Sequence, residues 1–107
     1  MIEYNKLIRD KIPEIIVADD KKANTRVLSA EEYKSELLKK LLEEAAEVLE
    51  VKENKKDMTK EIGDVMEVMD SIVKEYDLDV EEIIMLKEKR REERGGFDKR
   101  LFLESVE

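Results

Sequence analysis

From residue 30 to about residue 52, apolar side chains recur at the three- and four-residue spacing of a helix. Leu37, Leu38, Leu41, Leu42, Ala45, Val48 and Leu49 form the stripe. Ser29 followed by Glu32 is a capping-box signature and marks the start. A second stripe of Ile62, Val65, Met66, Val68, Met69, Ile72, Val73 and Tyr76 predicts a helix over about 58–76. Asp57 or Thr59 is its expected cap, and "ENKKD" the break before it. Gly63 falls inside this helix, where it costs about 1 kcal/mol against alanine; a close backbone approach is the expected reason for a small residue there. Asp79 with Glu82 starts a third helix over 80–94, which Gly95 and Gly96 end. Before residue 29 the pattern is mixed. Pro13 allows only a helix that is short or begins near it, and "ADDKKANT" reads as loop. Alternating Leu101 and Leu103 predict an extended tail.

These elements predict an all-α fold. The expected architecture is an antiparallel helical bundle of three main helices (about 30–52, 58–76 and 80–94) with an irregular N-terminal segment, in one domain over 1–107. Three helices from so short a chain leave part of a stripe uncovered. A second copy would cover it, so the expectation includes a homo-oligomer, dimer or tetramer.

Composition narrows the chemistry. Among 107 residues there is no Cys and no His, which excludes a disulfide framework, a thiolate site, a histidine base and a typical zinc site. Carboxylates, Lys, Arg, Tyr and hydroxyls are left. A net charge of −8 argues against binding a nucleic-acid polymer. No apolar run approaches the ~20 residues of a membrane span, and "MIEYNKLIRDKIP" lacks the apolar core of a signal peptide. No membrane association is expected, and the cytoplasm is the expected location.

Within that inventory, two acidic pairs stand out. At about 100° per residue, Glu43, Glu36 and Glu50 fall well away from the first stripe. Glu44 does not: it lies on the side shared with Tyr33 and Val51, and Glu47 follows it by one step along the same edge. On the second helix Glu61 lies between Val65 and Val68, with Asp64 at the edge beside Val68. A short loop makes the two helices antiparallel neighbours and lets the pairs converge. Four converging carboxylates repel one another and resist desolvation; a divalent cation relieves both, and all-oxygen ligands favour Mg2+ or Mn2+. In a Glu-rich chain such pairs also arise by chance on a solvated face, but the angles of Glu44 and Glu61 are not those of such a face.

A basic constellation complements the acidic one. The apolar face of the third helix, Val80, Ile83 and Ile84, continues as Lys87, Arg90, Arg91 and Arg94. Arg94 precedes Gly95 and Gly96, whose backbone N–H groups suit an anion. Lys87, Arg90 and Arg94 are therefore candidate phosphate ligands, with Arg9 and Lys11 of "IRDKIP" a second set. Helix-end cations also complement the macrodipole, and Glu88, Glu92 and Glu93 are available to pair with them.

The motif "EEAAE" at Glu43–Glu47, followed after thirteen residues by "EIGD" at Glu61–Asp64, resembles the MazG-type all-α nucleoside triphosphate pyrophosphatases. That group includes phosphoribosyl-ATP pyrophosphohydrolase. "YNKLIRDKIPEII" at Tyr4–Ile16 and "RGGF" at Arg94–Phe97 are similar to the two ends of a smaller MazG-related subfamily, the phosphoribosyl-ATP pyrophosphohydrolase-like proteins. The resemblance implies an all-α fold and Mg2+-dependent hydrolysis between the α and β phosphates of a nucleotide. A nucleoside monophosphate and pyrophosphate would result, in the house-cleaning of non-standard nucleotides. By position it implies Glu44, Glu47, Glu61 and Asp64 as metal ligands, and Glu43 as a group behind them or the base that positions water. Lys87, Arg90 and Arg94, with Arg9 and Lys11, would offset charge on the leaving pyrophosphate. Two other readings stand beside this one: phosphoribosyl-ATP hydrolysis in histidine biosynthesis, and a non-catalytic helical module whose acidic face docks a basic partner.

Overall fold

The computed structural model describes residues 2–107. Among them there are four helices and no strand: α1 (Ile12–Ala18), α2 (Ala30–Glu50), α3 (Lys55–Glu75) and α4 (Val80–Arg94). The all-α expectation holds, with one helix more than the three anticipated. The chain divides into two units, one ending at Tyr76 and the other beginning at Asp77. None of these helices is long and apolar enough to cross a membrane.

In the first unit, α2 and α3 form a packed antiparallel hairpin. Lys34 near the start of α2 lies 5.2 Å from the ring of Tyr76 at the end of α3, which fixes the antiparallel sense. The start of α2 is the one its sequence signature predicts. Ser29 Oγ accepts the Glu32 N–H at 3.2 Å, and the Glu32 carboxylate accepts the Ser29 N–H at 3.3 Å. Arg26 binds the same carboxylate at 2.7 Å. Arg26 and the Ser29 contacts hold Glu32 down to about 2.

Elsewhere the boundaries shift. α3 begins at Lys55 rather than residue 58, because Asn54 is the cap: its side chain accepts the Asp57 N–H at 3.0 Å. Asp57 then lies in the first turn, where a carboxylate suits the helix dipole. Thr59 donates back to the Lys55 carbonyl at 2.8 Å. The N-terminal segment is not wholly irregular: α1 starts beside Pro13, whose fixed φ and missing N–H suit a first turn. In the second unit α4 spans the predicted residues. Asp79 caps it, accepting from Glu81 and Glu82, and Gly95 at φ 83° ends it.

The hairpin buries less apolar surface than its stripes predict. Tyr33, Leu37, Leu41, Val48 and Val51 are at least partly covered, but so are Lys40, Glu44 and Glu47. Leu42 and Leu49 stay 74% and 69% exposed, and Leu38 and Ala45 are exposed as well. The covered face of α2 is thus centred near Glu44, with the exposed leucines about 100–160° round the helix from it.

Gly63 corrects another expectation. It is exposed, and a Cβ placed there meets nothing within 4 Å, so no close approach requires the glycine. Gly63→Ala should therefore stabilise the chain by about 0.5–1 kcal/mol through helix propensity, read as a higher urea midpoint with an unchanged slope.

Candidate metal centre

Each acidic residue reaches the site from a helix position that the packing sets. Glu44 sits in the middle of α2 on the covered face and is only 8% exposed. Glu61 and Asp64, one turn apart on α3, are half-buried. One carboxylate oxygen each from Glu44, Glu61 and Asp64 lie within 4.8 Å of one another, across the hairpin. Glu43, Glu44 and Glu47 form a second such group along α2. Glu44 is the shared member. Glu47 is thus brought to Glu44 but not into the cross-helix trio.

Two oxygens of this cluster are the observation that matters most. Glu44 Oε2 and Glu61 Oε2 are both buried and without a hydrogen-bond partner among the described residues. A buried charged acceptor left unpaired costs more than the roughly 1–3 kcal/mol of a neutral one. Burial in the first place, and Glu47 beside it in the second, push the Glu44 carboxyl above its usual range despite the opposing pull of Lys40.

The chain supplies three cations to this acidic edge. Lys40 lies 3.3 Å from Glu43 and 3.5 Å from Glu44. Lys6 lies 3.5 Å from Glu43. Arg9 donates to Asp64 Oδ1 at 2.8 Å. Glu43 is therefore not a merely solvated carboxylate: it is half-buried and held by two ammonium groups. Lys6 and Lys40 were not singled out in the sequence. Lys40 carried a usable signal, since it precedes Glu43 and Glu44 by three and four residues. Lys6 carried none.

The remaining predicted residues fall elsewhere. Lys11 is the exposed N-cap of α1. Lys87, Arg90 and Arg94 lie on α4, exposed, and form no ion pair among the described residues. The expected partners Glu88 and Glu92 do not bind them; the ion pair on α4 is Lys89–Glu93. The Arg91 guanidinium lies 3.8 Å from where a Cβ on Gly96 would stand.

No family model, no curated protein and no solved structure matches this chain.

The donor set suits a hard divalent cation. All the candidate donors are carboxylate oxygens, and two oxygens on one ion are at most twice the bond length apart: about 4.2 Å for Mg2+ and about 5 Å for Ca2+. A trio within 4.8 Å meets that limit with little or no adjustment.

The raised Glu44 pKa has a stability consequence. Its stabilising contribution is full below the ordinary 4.5 and is lost as pH rises through the raised value. At neutral pH the ionised group is a net burden on the fold. In chelator at pH 7, Glu44→Gln should melt above the wild type, and the gap should close on acidification. Circular-dichroism melts across that pH range check it; a lower melting temperature for the variant would contradict it.

Proposed function

We propose that this protein is a divalent-metal-dependent nucleotide pyrophosphohydrolase of the MazG-like type. The observation that supports the reading most is the convergence of Glu44, Glu61 and Asp64 from two helices, with two buried carboxylate oxygens unpartnered. Carboxylates are rarely buried without a compensating charge. The "IRDKIP", "EEAAE", "EIGD" and "RGGF" blocks, in that order along the chain, are the second support.

Glu44, Glu61 and Asp64, with Glu47 completing the set, would hold Mg2+ or Mn2+. Such an ion supplies Lewis acidity toward phosphate oxygens and water, and charge to offset the polyphosphate. Glu43, steadied by Lys6 and Lys40, is assigned to hold the attacking water. The water oxygen forms a bond to the α-phosphorus, and the α–β bridging P–O bond breaks with its electrons leaving on pyrophosphate. The proton of the water passes to a carboxylate. Arg9 and Lys11 provide cationic donors for the phosphates.

Glu61→Gln should keep the helix content and lower Mg2+-dependent pyrophosphate release by at least about a hundredfold, the scale of losing one transition-state electrostatic contact. A panel of standard and damaged nucleoside triphosphates, with phosphoribosyl-ATP included, provides the substrates. Full activity of the variant would remove Glu61 from the site.

The same reading includes a homo-oligomer. On α2 the large exposed apolar side chains are Leu38, Leu42 and Leu49, with Ala45 beside them; on α3 they are Ile62, Met66 and Met69, with Val73 half-buried in the same line. Measured from Glu44 and from Glu61, both sets lie in the same angular sense, about 80–160° away. In an antiparallel pair, equal senses point to the same side. The two stripes form one apolar face, opposite Glu43, Glu47 and Asp64. A second copy pairing through the same face would cover it isologously. Leu42→Glu, far from the carboxylates on the wheel, should shift the chain from oligomer toward monomer at micromolar concentration, read by sedimentation velocity. A monomeric wild type would refute the pairing.

A further inference from the structure

The mechanism above uses Arg9 as a phosphate ligand, yet the structure places its guanidinium on Asp64, one of the carboxylates assigned to the metal. We propose that Arg9 and a divalent ion compete for Asp64, and that the exchange turns the N-terminal segment into the phosphate-binding arm of the site. This rests on the metal-site reading and adds a coupling to it: metal occupancy releases the arm that binds the nucleotide.

The three cations at the acidic edge differ in how they are held. Lys40 is built into α2, its side chain 15% exposed, and it touches both Glu43 and Glu44. Arg9 is 58% exposed and bonds to Asp64 through a single nitrogen, from a segment outside any helix. Lys6 reaches Glu43 from the same segment, also well exposed. Lys40 is a fixed part of the site; Arg9 and Lys6 are its exchangeable part.

Magnitudes favour the exchange. An exposed ion pair shifts an equilibrium by at most about fivefold, because water and salt screen it and the long side chain loses freedom. An ion that contacts Glu44, Glu61 and Asp64 together satisfies the buried Glu44 and Glu61 oxygens that Arg9 does not reach. Once off Asp64, the guanidinium fork stands at the rim of the site with five donors free. Its planar geometry matches two phosphate oxygens at once. A polyphosphate approaching the acidic edge is repelled until such a charge is available. The ion pair to Asp64 therefore keeps the arm docked and spent, and the metal frees it.

The test is calorimetric titration of Mg2+ into the full chain without nucleotide, at constant ionic strength, for the wild type, Arg9→Gln and Arg9→Lys. Arg9→Gln should bind Mg2+ about two- to fivefold more tightly than the wild type, as expected for removal of an exposed competitor. Arg9→Lys should fall between them. At saturating Mg2+, an α,β-methylene nucleoside triphosphate should bind Arg9→Gln about tenfold more weakly, on the scale of one charge-assisted hydrogen bond. Trypsin should cleave the wild type after Arg9 faster in Mg2+ than in NaCl of equal ionic strength. Equal circular-dichroism spectra establish that the variants are folded. If Arg9→Gln binds Mg2+ equally or less well, the exchange is wrong and Arg9 is a positioning residue for Asp64. If Mg2+ binds more tightly but the nucleotide is unaffected, the arm is wrong. A wild type that takes up no divalent ion overturns the metal-site reading itself.

Discussion

The hairpin is organised around one awkward group, the Glu44 carboxylate in the covered face between α2 and α3. An acid in that position is unfavourable alone, since it exchanges water for low-dielectric surroundings and faces Glu47, Glu61 and Asp64. Much of the rest follows from accommodating it. Lys40 lies one turn before it on α2, and the N-terminal segment brings Lys6 and Arg9 to its neighbours. Among the described residues the fully buried apolar side chains are Leu37 and Val68, with Leu41, Val48, Val65 and Ile72 partly covered around them.

Because the covered face is centred on Glu44, the large side chains Leu38, Leu42 and Leu49 turn outward. The same geometry gives the hairpin two unlike sides: an apolar one made by both helices, and an acidic one covered by cations from the chain's own N-terminal segment. A hairpin that hides its acid site exposes its leucines. In the proposed homo-oligomer this conflict resolves: a partner supplies the burial that each hairpin gives up, and the acidic side stays free for a ligand.

The elements were legible where the local signal was complete in itself. Ser29 with Glu32, Asp79 with Glu82, and Gly95 each act within a few residues, and each stands where the pattern put it. α3 starts three residues before the position that its stripe predicts, because Asn54, Asp57 and Thr59 are all competent caps and only the geometry selects among them. The sequence does not show why Gly63 is small, because a glycine in a helix is silent about whether anything approaches it. For the acidic cluster, wheel angles were enough to bring Glu44 to Glu61 and Asp64, since antiparallel packing of two helices fixes which edges meet, but not to say that Glu47 stays with Glu43 and Glu44 on α2. They were not enough for Glu43, whose ties to Lys6 and Lys40 depend on where a non-helical segment lies. Nor could they find the Arg9–Asp64 contact, which joins residues 55 apart with no periodic pattern between them.

That last contact bears on how an acidic protein handles an acidic ligand. In the proposed reaction a site of carboxylates would hold a cation and would also have to admit phosphate, whose charge has the same sign as its own. Fixed cations lodged among the carboxylates would satisfy the phosphate while weakening the metal. Exposed cations on a separate segment avoid the conflict, because a screened ion pair is cheap to break and its partner can be handed to another anion. Lys40, held between Glu43 and Glu44, is of the first kind, and Arg9 is of the second. On this argument the "IRDKIP" segment and the "EIGD" turn of helix form one functional unit. The exposed Arg9–Asp64 pair would be the joint between them, the contact that the proposed exchange opens.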